Sequence, residues 1–284
     1  MREVTSPAAM RVWADSARAA GRRIGLVPTM GYLHDGHLAL VAEARRRADA
    51  CVVSVFVNPL QFGPHEDLER YPRDLLRDGA LLERAGAEVL YAPDAAAMYA
   101  DGFQTHVEVT RVTAGLCGRS RPGHFRGVAT VVAKLFNAVR PHVAVFGEKD
   151  FQQLAAIRRM VIDLDFGIEI AGVPIVRERD GVAMSSRNAR LSAAERVAAR
   201  CLSRALEAGR AAVAGGLRRR ADVLAPVRAV LEAESLARID YAELVDAETI
   251  EPIDAIERAA LLALAVFIGR TRLIDNAVLS AARR

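Results

Sequence analysis

Aromatic side chains are scarce: they make up 5% of the 284 residues, and Trp13 is the one tryptophan. The hydrophobic fraction is still 52%, ample for a buried core in one or two domains. That core must be built from Ala, Val and Leu, which suits helices packed on a parallel sheet. Cysteine is limited to Cys51, Cys117 and Cys201, an odd number with no CxxC pair. This argues against a disulfide framework and a structural zinc site, and makes the reducing cytoplasm the expected location. Residues 1–13 have no apolar signal core. The longest strongly apolar run, residues 259–267, falls far short of the ~20 residues of a membrane span, so no membrane association is expected. Lysine is almost missing: of 39 basic residues only Lys134 and Lys149 are not Arg. In a chain that defaults to Arg, each Lys is either retained by chance or marks a place where a compact ammonium suits better than a guanidinium fork.

What charge there is has little pattern. The net charge is +4, with small Arg clusters at 45–47 and 218–220. Without interleaved aromatics these read as solvated helix faces or turns, and no nucleic-acid partner is expected. A mild positive balance suits ligands that are anions or zwitterions.

The order of elements is legible. Ser6-Pro7 is an N-cap followed by Pro at the first helical position, opening a helix to about Gly21. Residues 23–28 (RIGLVP) and 51–57 (CVVSVFV) read as buried parallel strands. Strands are also expected at 88–91, 105–110 (THVEVT), 143–146 and 168–176, with helices at 36–48, 73–85, 128–139 and 151–163. Repeated strand–helix–strand units imply right-handed crossovers and a doubly wound, Rossmann-like parallel α/β sheet. After residue 176 the alternation stops. Helices at 192–210 and 221–233, joined at Gly215-Gly216, precede strands at 241–245, 260–267 and 272–278. The expected domains are a Rossmann-like domain at 1–175 and a smaller C-terminal α+β domain at 176–284.

In such sheets ligands bind beyond the carboxyl ends of the strands. Three polar or Gly-rich segments lie there: 29–37 (TMGYLHDGH), 58–62 (NPLQF) and 147–150 (GEKD). No GxGxxG follows the first of these strands and no GxxxxGK[ST] occurs, which disfavours a dinucleotide dehydrogenase and a P-loop NTPase. Instead His34-Asp35-Gly36-His37 opens a helix. A helix N-terminus attracts phosphate through its free N–H groups and dipole, Gly36 allows close approach, and two imidazoles add donors. A second segment, Met184-Ser185-Ser186-Arg187, puts two hydroxyls and a cation in one loop, again suited to phosphate. An HxGH motif with a KMSKS-like loop resembles the signature of nucleotidyl-transferring α/β enzymes, which attack the α-phosphate of ATP and expel pyrophosphate.

The resemblance narrows further. PTMGYLHDGH, FVNPLQFGPHEDLERYPRD, LCGRSRPGHFRGVATVVAKLF, FGEKDFQQL and MSSRNARLS are similar, in order and spacing, to segments of the pantothenate synthetase family. The match covers nearly the whole chain and is least distinctive after the MSSR loop. It implies a ligase that joins pantoate to β-alanine through a pantoyl-adenylate, releasing AMP and pyrophosphate. By this resemblance His34, His37, Lys149, Ser185, Ser186 and Arg187 are the catalytic set. The first two stabilise developing charge on the triphosphate and the rest clamp phosphates. ATP is further bordered by Met30, Gly31, Gly36, Gly147, Asp150, Val176 and Met184. Gln61 and Gln153 are expected on pantoate, with Phe62 as an apolar wall and Asn58, Tyr71, Arg121 and His124 completing the acid and amine sites. Mg²⁺ would be held mainly by ATP phosphates, with Asp150 on the metal or the ribose. Residues 62–71 would form a cover that excludes water, and a homodimer through the N-terminal domain is implied. Two other readings are a different HxGH nucleotidylyltransferase, which would leave the nucleotide on its product, and a non-catalytic nucleotide- or RNA-binding protein.

Overall fold

The computed structural model describes residues 1–64 and 66–280. In chain order the elements are β1 (Arg2–Val4), α1 (Pro7–Ala19), β2 (Ile24–Thr29), α2 (Asp35–Arg47), β3 (Ala50–Val55), α3 (Leu75–Arg84), β4 (Val89–Tyr91), α4 (Ala95–Met98), α5 (Leu116–Ser120), α6 (His124–Val139), β5 (Val143–Gly147), α7 (Phe151–Asp163), β6 (Glu169–Val173), α8 (Ala193–Ala214), α9 (Arg220–Glu232), β7 (Ala237–Asp246), β8 (Ala260–Ile268) and β9 (Thr271–Leu279). They fall into two compact units. The first comprises residues 1–110, 121–148 and 156–174, and the second 111–120, 149–155 and 175–284.

The first unit is built on a six-stranded sheet in the order β1-β4-β3-β2-β5-β6, parallel throughout. The chain leaves β2 in one direction, through β3 to β4, and later adds β5 and β6 on the other side. The strand order therefore reverses between β2 and β5, and the crevice at their carboxyl ends is the switch point where such sheets bind ligands. Alternation along β2 explains the layers. Val27 joins Leu40, Val41 and Ala44 of α2 and Leu82 of α3 in one buried cluster. Gly25 points the same way, where a Cβ would lie 3.2 Å from Ala44 O of α2. Helices α1 and α6 pack on each other and on β2. The expected strand at 105–110 is corrected: these residues are irregular and join neither sheet. Their β-branched alternation satisfies strand propensity, but Val107 N–H donates 3.0 Å to Thr130 Oγ1 of α6 and not to a neighbouring strand. Helix α6 also starts earlier than expected, at His124, because Gly123 supplies a left-handed backbone (φ 81) just before it. The three-residue β1 was too short to show periodicity.

The second unit carries an antiparallel sheet, β7-β8-β9. Helices α8 and α9 supply Ala205, Leu206, Val223 and Val227 to a core with Leu262, Leu264 and Val266 of β8. At Gly209 a Cβ would meet Leu262 Cδ2 at 2.4 Å, so α8 lies directly on the sheet. Segment 111–120 is fastened to this unit at several points. Cys117 Sγ is 3.2 Å from Tyr241 Oη, Ser120 Oγ donates 3.1 Å to Asp240, and Asp240 pairs with Arg272 at 2.7 Å. All three cysteines are buried free thiols. Among the described residues, no helix is long and apolar enough to cross a membrane.

Candidate active site

In the first unit the segment after β2 turns sharply. Gly31 (φ 85) and Tyr32 (φ 52) are both left-handed, and His34 then caps α2 in an extended conformation. His37 lies one turn on, with its ring centroid 4.1 Å from that of His34. The His34 backbone N–H donates to His37 Nδ1 at 3.3 Å. Only an unprotonated Nδ1 can accept it, so the neutral ring carries its proton on Nε2. His37 is thereby held as a hydrogen-bond donor through Nε2. Both rings and Gly36 are half-buried.

The segment after β3 forms a 3-10 turn, Pro59–Gln61, capped by Asn58. Asn58 is fully buried and its amide is completely engaged. Its Oδ1 accepts from Leu60 N–H (3.2 Å) and Tyr99 Oη–H (2.8 Å), and its Nδ2 donates to Gly127 O and Gln61 Oε1, both 3.1 Å. Burial pushes the Tyr99 phenol well above its ordinary pKa, so it remains a donor. This chain fixes the flip of Gln61. Its carbonyl faces Asn58, and its Nε2 donates 3.1 Å to Met30 Sδ through one hydrogen, leaving the second to meet a ligand. The backbone at Gln61 is pinned too: His124 Nδ1–H donates 2.9 Å to Gln61 O, while Arg121 donates 3.1 Å to His124 Nε2. Arg121 in turn makes a two-pronged pair with Glu66 at 2.6 and 2.7 Å. Burial alone would raise the Glu66 carboxyl, and the Arg121 hydrogen bonds and charge overcome it, leaving its pKa below the ordinary value. Phe62 and buried Tyr71 meet edge to face at 6.0 Å. Helix α6 approaches this turn so closely that a Cβ on Gly127 would sit 2.2 Å from Leu60 O. Gly127, although inside one of the family-like segments, and Tyr99 were not expected at the site.

In the second unit, Lys149 Nζ lies 3.8 Å from the half-exposed Asp150 carboxylate, and Asn276 of β9 holds the Lys149 carbonyl at 3.0 Å. Adjacent glutamines on α7 divide their roles. Gln152 is buried and bonded at both ends, to Cys117 N–H and to the carbonyls of Val112 and Gly115. The half-buried Gln153 amide has no partner among the described residues. The MSSR loop leaves a tight turn in which Met184 N–H bonds Val176 O at 2.9 Å. Ser185 caps the following 3-10 turn, its Oγ accepting from Arg187 N–H at 3.3 Å. Charged pairs brace this loop. Arg196 of α8 bonds both Glu178 (2.7 Å) and Asp180 (2.8 Å), Asn188 donates 2.7 Å to Glu178, and Arg177 holds buried Asp275 at 2.7 and 2.9 Å. Burial would raise Asp180, but Arg196 keeps its pKa below the ordinary value. Ser186 and Arg187 are half-buried beside it.

No group of three or more His, Cys, Asp or Glu side chains able to hold a metal ion occurs among the described residues.

Comparison with known proteins adds four findings. The family model described as pantoate-beta-alanine ligase matches residues 2–278. A pantothenate synthetase of Geobacter sulfurreducens is 58% identical over 279 residues, 98% of this chain and 99% of that protein. The crystal structure of a pantothenate synthetase from Thermus thermophilus superposes with a TM-score of 0.92 at 50% identity, covering 98% and 99% of the two chains. A pantoate-beta-alanine ligase of Francisella tularensis, complexed with beta-gamma ATP and beta-alanine, gives 0.81 at 30% identity, covering 98% and 97%.

Proposed function

The chain belongs to the pantoate–β-alanine ligase family, and from that premise we propose how its residues join pantoate to β-alanine. The observation that carries the proposal is the neutral His37, one turn into α2 at the switch point of the sheet, with its Nε2–H as donor. ATP is the activating substrate, as the nucleotide and β-alanine bound to the Francisella relative suggest. The pantoate carboxylate attacks the α-phosphorus, and pyrophosphate leaves. The β-alanine amine then attacks the carbonyl of the pantoyl-adenylate, and AMP leaves.

Phosphoryl transfer asks chiefly for positioning and charge neutralisation. His34 and His37 supply donors to the triphosphate alongside the N–H groups of α2, with Gly31 and Gly36 allowing close approach. Lys149, Ser185, Ser186 and Arg187 clamp phosphates, and Met30, Gly147, Val176 and Met184 border the nucleotide. Gln61 presents N–H donors, matching the hydroxyl and carboxylate oxygens of pantoate, and the unengaged amide of Gln153 serves the same substrate. Such amides reject analogues lacking those oxygens. Phe62, backed by Tyr71, is the apolar wall for the gem-dimethyl group. Asn58 acts by orienting Gln61. His124 and Arg121 hold the Gln61 backbone and complete the acid and amine sites. Residues 62–71, tied down by the Glu66–Arg121 pair, cover the adenylate against hydrolysis; His65 within them lies outside the described residues.

Mg²⁺ fits as an ion held mainly by ATP phosphates and water, with Asp150 the candidate protein oxygen, or alternatively a ribose ligand. Bound there, it would neutralise phosphate charge. The domains at 1–175 and 176–284 divide the work, the first binding ATP and pantoate and the second carrying the MSSR loop, although Lys149, Asp150 and Gln153 pack within the second compact unit. The enzyme works in the cytoplasm as a homodimer assembled through the first domain.

The test is AMP release from MgATP and D-pantoate, with and without β-alanine. Steady turnover only when all three are present supports the adenylate route. Absence of AMP under every combination, with ATP still bound, would sink it.

A further inference from the structure

The loop that delivers His34 and His37 adopts a conformation its own sequence resists. Two consecutive left-handed residues occur at 31 and 32, and the second is a tyrosine. A side chain in that region strains against the following carbonyl, so something outside the loop must hold it. Two adjacent residues of α3 do so. Asp78 is buried to 1% exposure, and its two carboxylate oxygens accept the successive backbone N–H groups of Tyr32 (2.7 Å) and Leu33 (2.8 Å). Arg77 donates 2.9 Å to the Leu33 carbonyl and lies 5.0 Å from the centroid of the Tyr32 ring. The peptide is thus gripped by both its donors and its acceptor. Gly31 makes room: a Cβ there would lie 2.9 Å from Val55 Cγ1 and 3.0 Å from Asp78 Oδ2. The carboxylate also sits in the first turn of α3, where the helix dipole favours negative charge.

We propose that Asp78, assisted by Arg77, is a positioning residue for the adenylation half-reaction. It presets the strained loop so that His34 and His37 meet the triphosphate without reordering. This rests on the reading that those histidines serve ATP. Asp78 faces the backbone and touches no substrate. Its loss acts through the loop, on ATP and not on pantoate. Asparagine in its place keeps one acceptor and turns an NH₂ group against the other N–H.

The experiment is pantoate-dependent exchange of labelled pyrophosphate into ATP, without β-alanine, together with thermal melting. Asp78→Asn should raise KM for ATP by about tenfold or more, the order of one lost charged hydrogen bond, with KM for pantoate within about twofold. Arg77 is exposed, so Arg77→Met should lower the melting temperature less than Asp78→Asn, and it should raise KM for ATP by roughly threefold. Glycine adopts positive φ freely, so adding Tyr32→Gly to Asp78→Asn should recover part of the loss. A folded Asp78→Asn protein with an unaltered KM for ATP overturns the proposal. So does a double variant worse than the single one. If Asp78→Asn does not fold, an unchanged KM for ATP in Arg77→Met overturns it alone. Wild-type protein that catalyses no exchange would remove the ATP reading itself, whereas wild-type exchange with indifferent variants removes only the role given to Asp78.

Discussion

The two loops assigned to phosphate are held by different physics. The loop after β2 is fixed by backbone hydrogen bonds, to the Asp78 carboxylate and, through His34 N–H, to a neutral His37. The MSSR loop is braced by side-chain ion pairs, Arg196 with Glu178 and Asp180, at side-chain exposures of 25 to 35%. The first arrangement is buried, so salt hardly reaches it. The second is screened by salt and lost when its carboxylates protonate. One unit thus holds its loop rigidly, and the other through contacts that solution conditions can loosen.

The largest effect should come from the rigid side. His37→Ala removes the Nε2–H donor while leaving α2 intact. Adenylation should fall by about 10²- to 10³-fold, the range for losing one preorganised donor to developing charge. Exchange kinetics across pH measure it. If only a pH-dependent limb disappears and the plateau rate survives, His37 acts as a proton donor and not by fixed electrostatics.

Next is the brace of the second loop. Arg196→Met leaves two carboxylates facing each other without their cation. For groups this exposed the cost is about 1–2 kcal/mol of stability, readable as a lower melting temperature. KM for ATP should rise several-fold, on the order of that energy, and the wild-type advantage should shrink at 1 M salt. Equal sensitivity of Asp78→Asn to salt would erase the contrast between the loops.

That contrast was only partly legible in the sequence. The sheet, the histidines at the start of α2 and the MSSR loop follow from periodicity, capping and motif spacing. The residues that hold them do not, because each acts across the fold. Asp78 carried one signal, an acid in line with Leu82 on the buried stripe of α3, and such a position needs partners that no local pattern names. The quoted segment around Gly127 did not say what that glycine does, and Tyr99 gave no signal, since a close helix approach and a phenol reaching Asn58 exist only after α6 and β3 have packed. Residues 105–110 misled for the converse reason: alternating β-branched residues report fitness for a sheet and not the presence of a neighbour.

Acid should separate the units in another way. His142 Nδ1 accepts Ile24 N–H at 2.9 Å, at the base of the first unit's sheet. Burial, with Arg18 and Arg23 nearby, lowers its pKa below the usual 6.5. The folded protein therefore binds this proton less readily than the unfolded chain. The hydrogen bond is fully present above about pH 6.5 and its contribution is lost as pH falls through the lowered value. Asp180, also lowered, keeps its pair until pH drops below the ordinary carboxylate range. Between pH 6.5 and 5, roughly, melting temperature should decline through the first unit. His142→Gln should flatten that decline, and an unchanged slope would assign it elsewhere.

The smallest effect tests the polarity of Gln61. Tyr99→Phe removes the hydroxyl that donates to Asn58 Oδ1 and keeps the ring against Phe56 and Phe103. Asn58 still accepts from Leu60 N–H and donates to Gly127 O, so its flip is weakened and not reversed. One neutral hydrogen bond is worth about 1 kcal/mol. KM for pantoate should rise a few-fold, in keeping with that energy, with KM for ATP unmoved. Asn58→Asp is the sharper partner, since a carboxylate there draws in the Gln61 amide nitrogen and turns its carbonyl toward the substrate. If both variants bind pantoate as the wild type does, Gln61 is not oriented by this chain, and the first unit's rigidity stops at the histidine loop.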